Sequence, residues 1–414
     1  MKQRIICFLL SLCWGVNAQV MTEKTPPDFI KTVIFKGLDN DKSQFPIVRL
    51  NQVFSLQFDD LSGDEETYYY KITHCNTDWS PSTLMKSEYI KGMDEQPLRP
   101  ESNSYATLQA YSHYRLQFPN ELTKITLTGN YMLSITDRFG VELFSRKFLV
   151  YNPLVSVEAE VKRSRDLQFF DTKQVVQFAI KEKDIRLQDP KSTVKVAILQ
   201  NYRWDNAVTN LQPQYTMGNE LIYRYDAESA FWGGNEFFYF DSKDLRVTSG
   251  ATYQIIQNQL FEHILLGNIS RANRVYTYNP DINGDFLVNT VNGENPNTEA
   301  DYVWIHFALE AQPSFWSKDV YVYGKFSNYE LLDQYKLTYN EKNGLFQGKI
   351  LLKQGFYNYK FATKDKNNVD FNEISGNFQQ TENNYIVLVY YRPPGGLYDQ
   401  VIGLGGATGA NISR

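Results

Sequence analysis

Apolar and polar residues alternate with period two along most of the chain, and long stretches with the helical period are scarce. In a first block, residues 26–151, Phe54, Leu56 and Phe58 alternate with Ser55 and Gln57. Tyr114, Leu116 and Phe118 repeat the pattern until Pro119-Asn120 stops it. Further strands are predicted over residues 68–74, 131–135 and 141–150, the last two joined by the turn Asp137-Arg138-Phe139-Gly140. One helix is predicted over residues 81–89, with Ser80 as N-cap and Pro81 at its first position. In a second block, residues 154–288, Val155, Val157, Ala159 and Val161 alternate with Ser156, Glu158 and Glu160, and strands follow over 175–180, 194–199 and 237–241. A third block, residues 301–392, places Val303, Ile305, Phe307 and Leu309 on one strand face. In the same block, residues 340–344, ending in Gly344, form a hairpin loop. Strands over 355–361 and 385–391 are predicted to complete that block. Short strands with turn signals between them predict an all-β protein of tandem immunoglobulin- or fibronectin-like β-sandwiches.

The segments between and beyond the blocks lack such a pattern. Residues 289–300, rich in Asn, Glu, Thr and Gly, read as a linker. Residues 393–414, with Pro393-Pro394-Gly395-Gly396 and then Gly403, Gly405, Gly406 and Gly409, read as a flexible tail. Leu397, Tyr398, Val401 and Ile402 are the tail's anchors if it orders on a partner. At the start, Lys2 and Arg4 precede an apolar run from Ile5 to Trp14, and Val16-Asn17-Ala18 supplies a cleavage site. A run of about ten residues is too short for a spanning helix, which needs ~20. Residues 1–18 are therefore expected to be a secretory signal peptide, cut before Gln19. Lipidation at Cys13 fits poorly beside Leu12 and Trp14. No later segment suggests membrane insertion.

Composition sharpens this picture in two ways. Aromatic residues make up 15 % of the chain, with 29 Tyr and 27 Phe, which favours strands and large contact surfaces. The net charge of −5, with no basic stripe, argues against nucleic acid as a partner. Cys7 and Cys13 belong to the expected signal peptide, so Cys75 alone would remain and no internal disulfide is expected. The four histidines, His74, His113, His263 and His306, lie far apart. There is no G-x-S-x-G turn, no H-E-x-x-H and no P-loop. Asn279 to Asp285 places oxygen ligands as a calcium loop does, but Thr290 stands where the bidentate Glu is required, so an Asx-rich turn is expected. No catalytic residue, metal, cofactor or small-molecule substrate is expected.

Two resemblances add to this reading. Residues 320–329 and 355–361 of the third block resemble the early-set sandwich of glycogen-binding modules, with Tyr329 where those modules carry a sugar-stacking Trp. That resemblance implies a carbohydrate-binding accessory protein as one reading. The other resemblance covers nearly the whole chain. It rests on Tyr70 to Trp79, Tyr111 to Asn120 and Gly129-Asn130-Tyr131 in the first block, and on Gln200 to Asp205, Gly234 to Asp241 and Tyr278 to Gly284 in the second. Tyr390 to Pro394 and Tyr398-Asp399 carry it near the end. In these strings the chain resembles the plug protein family of the type IX secretion system, known from Bacteroidota. The resemblance implies a periplasmic protein, peripheral to the inner side of the outer membrane, that seals the periplasmic end of a giant outer-membrane β-barrel translocon without catalysis. It transfers no contact residue. Aromatic residues in loops nominate Trp79, Trp204, Trp232, Leu397 and Tyr398 as partner-binding candidates.

Overall fold

Over residues 30–151, strands with one apolar face pair into two facing sheets. The computed structural model describes residues 19–38 and 45–412; the expected signal peptide lies outside the described residues. One sheet joins Ile30–Gly37, Phe54–Asp60, Ser112–Phe118 and Pro100–Asn103. The other joins Ile47–Arg49, Glu142–Tyr151, Gly129–Thr136, Tyr68–Cys75 and Pro97–Leu98. Phe54, Leu56 and Phe58 face Tyr131, Leu133 and Phe148 across the core between them. The predicted helix is shorter than expected: only Lys86–Tyr89 is helical. Ser80 is instead held by its own turn, donating to Asp78 Oδ1.

The second sandwich borrows strands from the end of the chain. One of its sheets holds Val155–Arg163, Lys173–Glu182, Glu220–Tyr223, Tyr215–Met217 and Ala230–Trp232. The other holds Val208–Thr209, Val194–Gln200, Asn384–Tyr391 and Gln400–Thr408. The strand expected to close the third block therefore pairs with Val194–Gln200 instead, Val194 opposite Tyr391 and Gln200 opposite Tyr385. The reason lies in its composition. Tyr385, Val387, Val389 and Tyr391 fill the second core, while Ile386, Leu388 and Tyr390 on the opposite face fill a seam against the first sandwich. A strand apolar on both faces belongs inside a molecule, between two layers.

The glycine-rich tail is likewise corrected. Gln400–Thr408 is a strand, paired along its length with Asn384–Tyr391. Glycine there serves close approach: a Cβ at Gly405 would stand 2.6 Å from Val157 Cγ1 and 2.7 Å from its carbonyl oxygen, whereas one at Gly406 would meet nothing nearer than 3.8 Å. Gly405→Ala is expected to destabilise the protein by ~1–3 kcal/mol as overpacking, and Gly406→Ala to change it by less than ~0.5 kcal/mol. Urea unfolding of the pair checks this, and equal effects would refute the packing role.

The third unit is one ten-stranded sheet with its own core. Its strands include Tyr302–Glu310, Asp319–Tyr323, Lys336–Asn340, Leu345–Lys353 and Gly355–Asp365. The hairpin at residues 340–344 forms as expected, with Gly344 at φ +69°. Phe238–Asp241, Thr252–Gln257, Phe261–Leu265 and Phe286–Val288, expected in the second block, join this sheet. The chain thus passes from the second unit to the third and back, which alternation alone does not reveal. The expected linker holds a turn of helix, Pro296–Glu299, capped by the Asn295 side chain. It docks on the first sandwich, where Tyr105 N donates to Thr298 O over 2.9 Å. The described residues are nearly all β, and none of their helices is long and apolar enough to cross a membrane.

Candidate functional site

Acidic and basic side chains of the kind that could move protons gather in the seams between the three units. Between the first and third, Asp59, His113 and Lys353 are each at most 3 % exposed. The antiparallel register sets Asp59 opposite His113, and Asp59 Oδ1 meets His113 Nδ1 at 2.6 Å. Asp59 Oδ2 accepts from Lys353 Nζ and from the Tyr302 hydroxyl, both at 2.7 Å. Lys353 also donates to Asn297 O at 2.7 Å and lies 4.0 Å from the centre of the Tyr111 ring. Burial pulls the Lys353 pKa down, against the pull of Asp59. Every oxygen of the carboxylate is occupied within the protein, which describes a lock between units.

The seam between the first and second units has the same character. Asp399, 1 % exposed, accepts from Thr77 N at 3.0 Å, Thr77 Oγ1 at 2.7 Å and Arg392 Nε at 2.9 Å. Burial raises its pKa, but these hydrogen bonds with Lys195 and Arg392 carry it below the usual carboxylate value. Arg392 Nη2 continues to Asn76 Oδ1, and the Tyr390 hydroxyl donates to Asn130 Oδ1. Trp79 is 5 % exposed; Trp204 meets it edge-on at 4.9 Å, with Lys147 Nζ 4.5 Å from the Trp79 ring centre. Trp79 and Trp204 are therefore seam residues, and the expectation that Trp79 is a surface anchor is corrected. Burial holds the neighbouring His74 pKa down at about 4, and the Tyr398 ring packs edge-on against it at 5.3 Å. Tyr398 is half-buried in this seam, while its neighbour Leu397 is 63 % exposed.

Between the second and third units, Arg203 pairs with Asp205, Nε to Oδ1 at 3.0 Å. Its guanidinium lies 4.6 Å from the Phe371 ring centre and 5.0 Å from that of Tyr329. The Tyr329 hydroxyl donates to Asn283 O at 3.2 Å. One face of Tyr329 is thus covered by a cation, and the expected sugar-stacking role is corrected to a seam contact. In the calcium-like loop, Asp281 Oδ1 accepts from Asn283 N at 2.8 Å, as in an Asx turn.

Exposed aromatic side chains lie elsewhere. Trp232 is 46 % exposed, and Phe169 meets it edge-on at 5.6 Å. Leu167 and Phe170 of the same loop are 91 % and 38 % exposed. Cations sit over the rings: Lys173 Nζ is 3.7 Å from Phe169 and 4.5 Å from Trp232, and the Arg163 guanidinium is 4.9 Å from Phe170. The loop is tied to residues 376–382 through Gln379 N to Asp171 O at 2.9 Å, and that segment is tied to Tyr276 by the tyrosine hydroxyl on Gln380 O. Exposed Val275 and Tyr278 flank Tyr276. Loops from the second and third units, tied together through residues 376–382, thus both carry exposed apolar side chains. Of the nominated residues Trp232 is exposed here, and its neighbours Leu167, Phe169 and Phe170 were not nominated because they fall in a turn with no period to mark them. Their signal was the placement of three large apolar residues between Asp166 and Asp171.

Comparison with known proteins bears on what these seams have in common. Residues 30–152 match the model of the type 9 secretion system plug protein first domain. The chain belongs to the type 9 secretion system plug family. A crystal structure of a hypothetical protein from Parabacteroides merdae ATCC 43184 is 30 % identical, with a TM-score of 0.88, covering 94 % of this plug-family chain and 100 % of that one. No curated protein matches significantly. Membership implies a plug-related role in that secretion system and association with it. Several strings that carry the family resemblance meet in the seams. Asn76-Thr77-Asp78-Trp79, Asn130, Tyr390-Tyr391-Arg392 and Tyr398-Asp399 form one, and Tyr202-Arg203-Trp204-Asp205 forms part of another. In this plug-family chain those strings hold three units in one arrangement.

Proposed function

We propose that this protein is a periplasmic plug that binds and seals the periplasmic end of the outer-membrane β-barrel translocon of the type IX secretion system, by protein–protein contact without catalysis. The plug-family match over residues 30–152 carries the proposal. The fully buried pair Asp59–Lys353 and the pair of buried Asp399 with half-exposed Arg392 support it, since a seal against a wide pore has to keep its shape. Sealing also requires a contact that a passing cargo can displace. A few aromatic anchors within a polar rim suit that requirement, and Trp232 with Leu167 and Phe170, flanked by Lys173 and Arg163, has that composition.

The test is co-purification with the translocon from detergent-solubilised outer membrane. Wild-type chain is expected to bring the barrel down. The double variant Leu167→Ala/Trp232→Ala is expected to lose ~10-fold or more of it, as for one or two anchor residues. Because both side chains are exposed, the unfolding midpoint is expected to stay unchanged. Retention at the wild-type level would remove this surface from the account, and absence of the barrel from the wild-type sample would remove the plug reading.

A further inference from the structure

We infer that residues 21–25 form a latch on the junction of the three units. While Glu23 holds Asn328, the turn that sets Tyr329 against Arg203 stays in place; when the latch opens, the junction loosens on that side. Residues 21–25 form no strand of their own, yet they touch all three units. Met21 packs with Cys75, Trp79 and Trp204 in the seam between the first and second units, and its N–H donates to Trp79 O at 2.9 Å. The next residues lie along the strand Glu142–Tyr151, whose outer edge is paired by Ile47–Arg49 only from Leu149 to Tyr151. Lys24 O accepts from Ser145 N at 3.2 Å, and Lys24 N donates to Ser145 Oγ at 2.9 Å. Glu23 Oε1 accepts from Lys147 N at 2.6 Å.

The second oxygen of that carboxylate crosses to the third unit. Glu23 Oε2 accepts from Asn328 Nδ2 at 2.7 Å, and Thr25 Oγ1 donates to Glu330. Among the described residues, these are the only hydrogen bonds that residues 19–152 make to the loop 325–330. The other hydrogen bonds between the first and third units reach residues 298–302, Gln334 and Lys353 instead.

A second observation lies in the turn that Glu23 holds. Asn328 and Tyr329 both have left-handed backbone, at φ +52° and +58°. Asparagine visits that region readily, whereas a bulky tyrosine does so rarely and at a cost. Such a conformation persists only where its surroundings fix it. On one side Tyr329 N donates to Gly324 O at 2.9 Å, and on the other the Tyr329 ring meets the Arg203 guanidinium of the second unit. Glu23 thus ties the edge of the first sandwich to the turn that carries this contact between the third unit and the second. The latch itself is lightly built. Met21 is its one apolar side chain, and Thr22 and Lys24 are exposed. A segment held at the surface by a few polar contacts opens more readily than the strands it joins.

Amide hydrogen exchange of the full mature chain reads the latch with no partner present, so its outcome is separate from that of the plug reading. In Glu23→Ala, exchange of residues 325–330 and 201–206 is expected to rise ~10-fold or more, as the loss of charge-assisted hydrogen bonds implies. Thr25→Ala removes the bond to Glu330 and leaves the Lys147 amide its acceptor, and it is expected to raise exchange in the same two segments. Residues 298–302 are expected to keep the wild-type rate in both variants, because Asp59 and Lys353 hold that side of the seam. A rise in Glu23→Ala that stays within residues 145–147, or that fails to reach 201–206, would make the segment a cover for a strand edge and overturn the latch. An equal rise in residues 298–302 would mark general destabilisation and overturn it as well, as would unchanged exchange in both variants.

Discussion

Replacing Lys353 by Met is expected to lower the unfolding free energy by ~3–5 kcal/mol, because it strands the Asp59 carboxylate in the seam between the first and third units. Both partners are 1 % exposed and 2.7 Å apart, so solvent cannot take over the lost contact. His113 and the Tyr302 hydroxyl would remain on Asp59, but neither supplies the ammonium that faces Oδ2. Neutralising the stranded group is expected to recover much of the loss: the double variant Asp59→Asn/Lys353→Met should be more stable than Lys353→Met alone. That is the pattern when the cost is an unpaired buried charge rather than lost packing. Urea unfolding followed by tryptophan fluorescence measures it, with Trp79 and Trp204 reporting on the neighbouring seam. A loss below ~1 kcal/mol for the single variant would contradict the lock.

Lys360→Met is expected to act in the opposite direction, and with a pH dependence. Lys360 is 5 % exposed in the strand Gly355–Asp365, with its Nζ 4.0 Å from the centre of the Phe237 ring. Burial lowers its pKa to about 7, although Asp281 and Glu236 pull the other way. The folded pKa therefore lies below that of the unfolded chain. Below about pH 7 both states are charged, and the folded state carries the full cost of a buried ammonium. Between there and pH ~10.5 the unfolded state binds the extra proton, so the stability of the wild type rises with pH across that window. Removing the amine removes that burden. Lys360→Met is expected to be more stable than wild type by on the order of 4 kcal/mol at pH 6, and by only about 2 kcal/mol at pH 9. A difference that stays constant between these two pH values would show that the ammonium is not desolvated as described.

Much of the all-β architecture was legible because half-buried strands announce their inner face. Phe54, Leu56 and Phe58 alternate with polar residues and fill one core, as the pattern predicts. The sequence was least informative where both faces are buried. Asn384–Tyr391 has no polar face, so its composition could not say which sheet it joins, and proximity in the chain suggested the third. Gly403 and Gly405 read as flexibility, whereas in the structure they let a strand lie against Val155 and Val157. Trp79 and Trp204 read as exposed because they stand in loops. They are covered because those loops meet across a seam, and long-range contacts of that kind leave no mark in local periodicity. Trp232 was nominated on the same grounds and is exposed, so loop position alone did not separate exposed residues from seam residues.

The seams and the surface have different tasks in this account. Lys353 and Asp399 lie in the seams between the three units, while Trp232 and its neighbours form the exposed surface proposed to meet a partner. The most direct measurement is ion conductance of the purified translocon barrel in a planar bilayer, with the mature chain added on the periplasmic side. The account expects a conducting barrel to close on addition and to reopen when the chain is washed away. A barrel that conducts equally with and without saturating chain would contradict it.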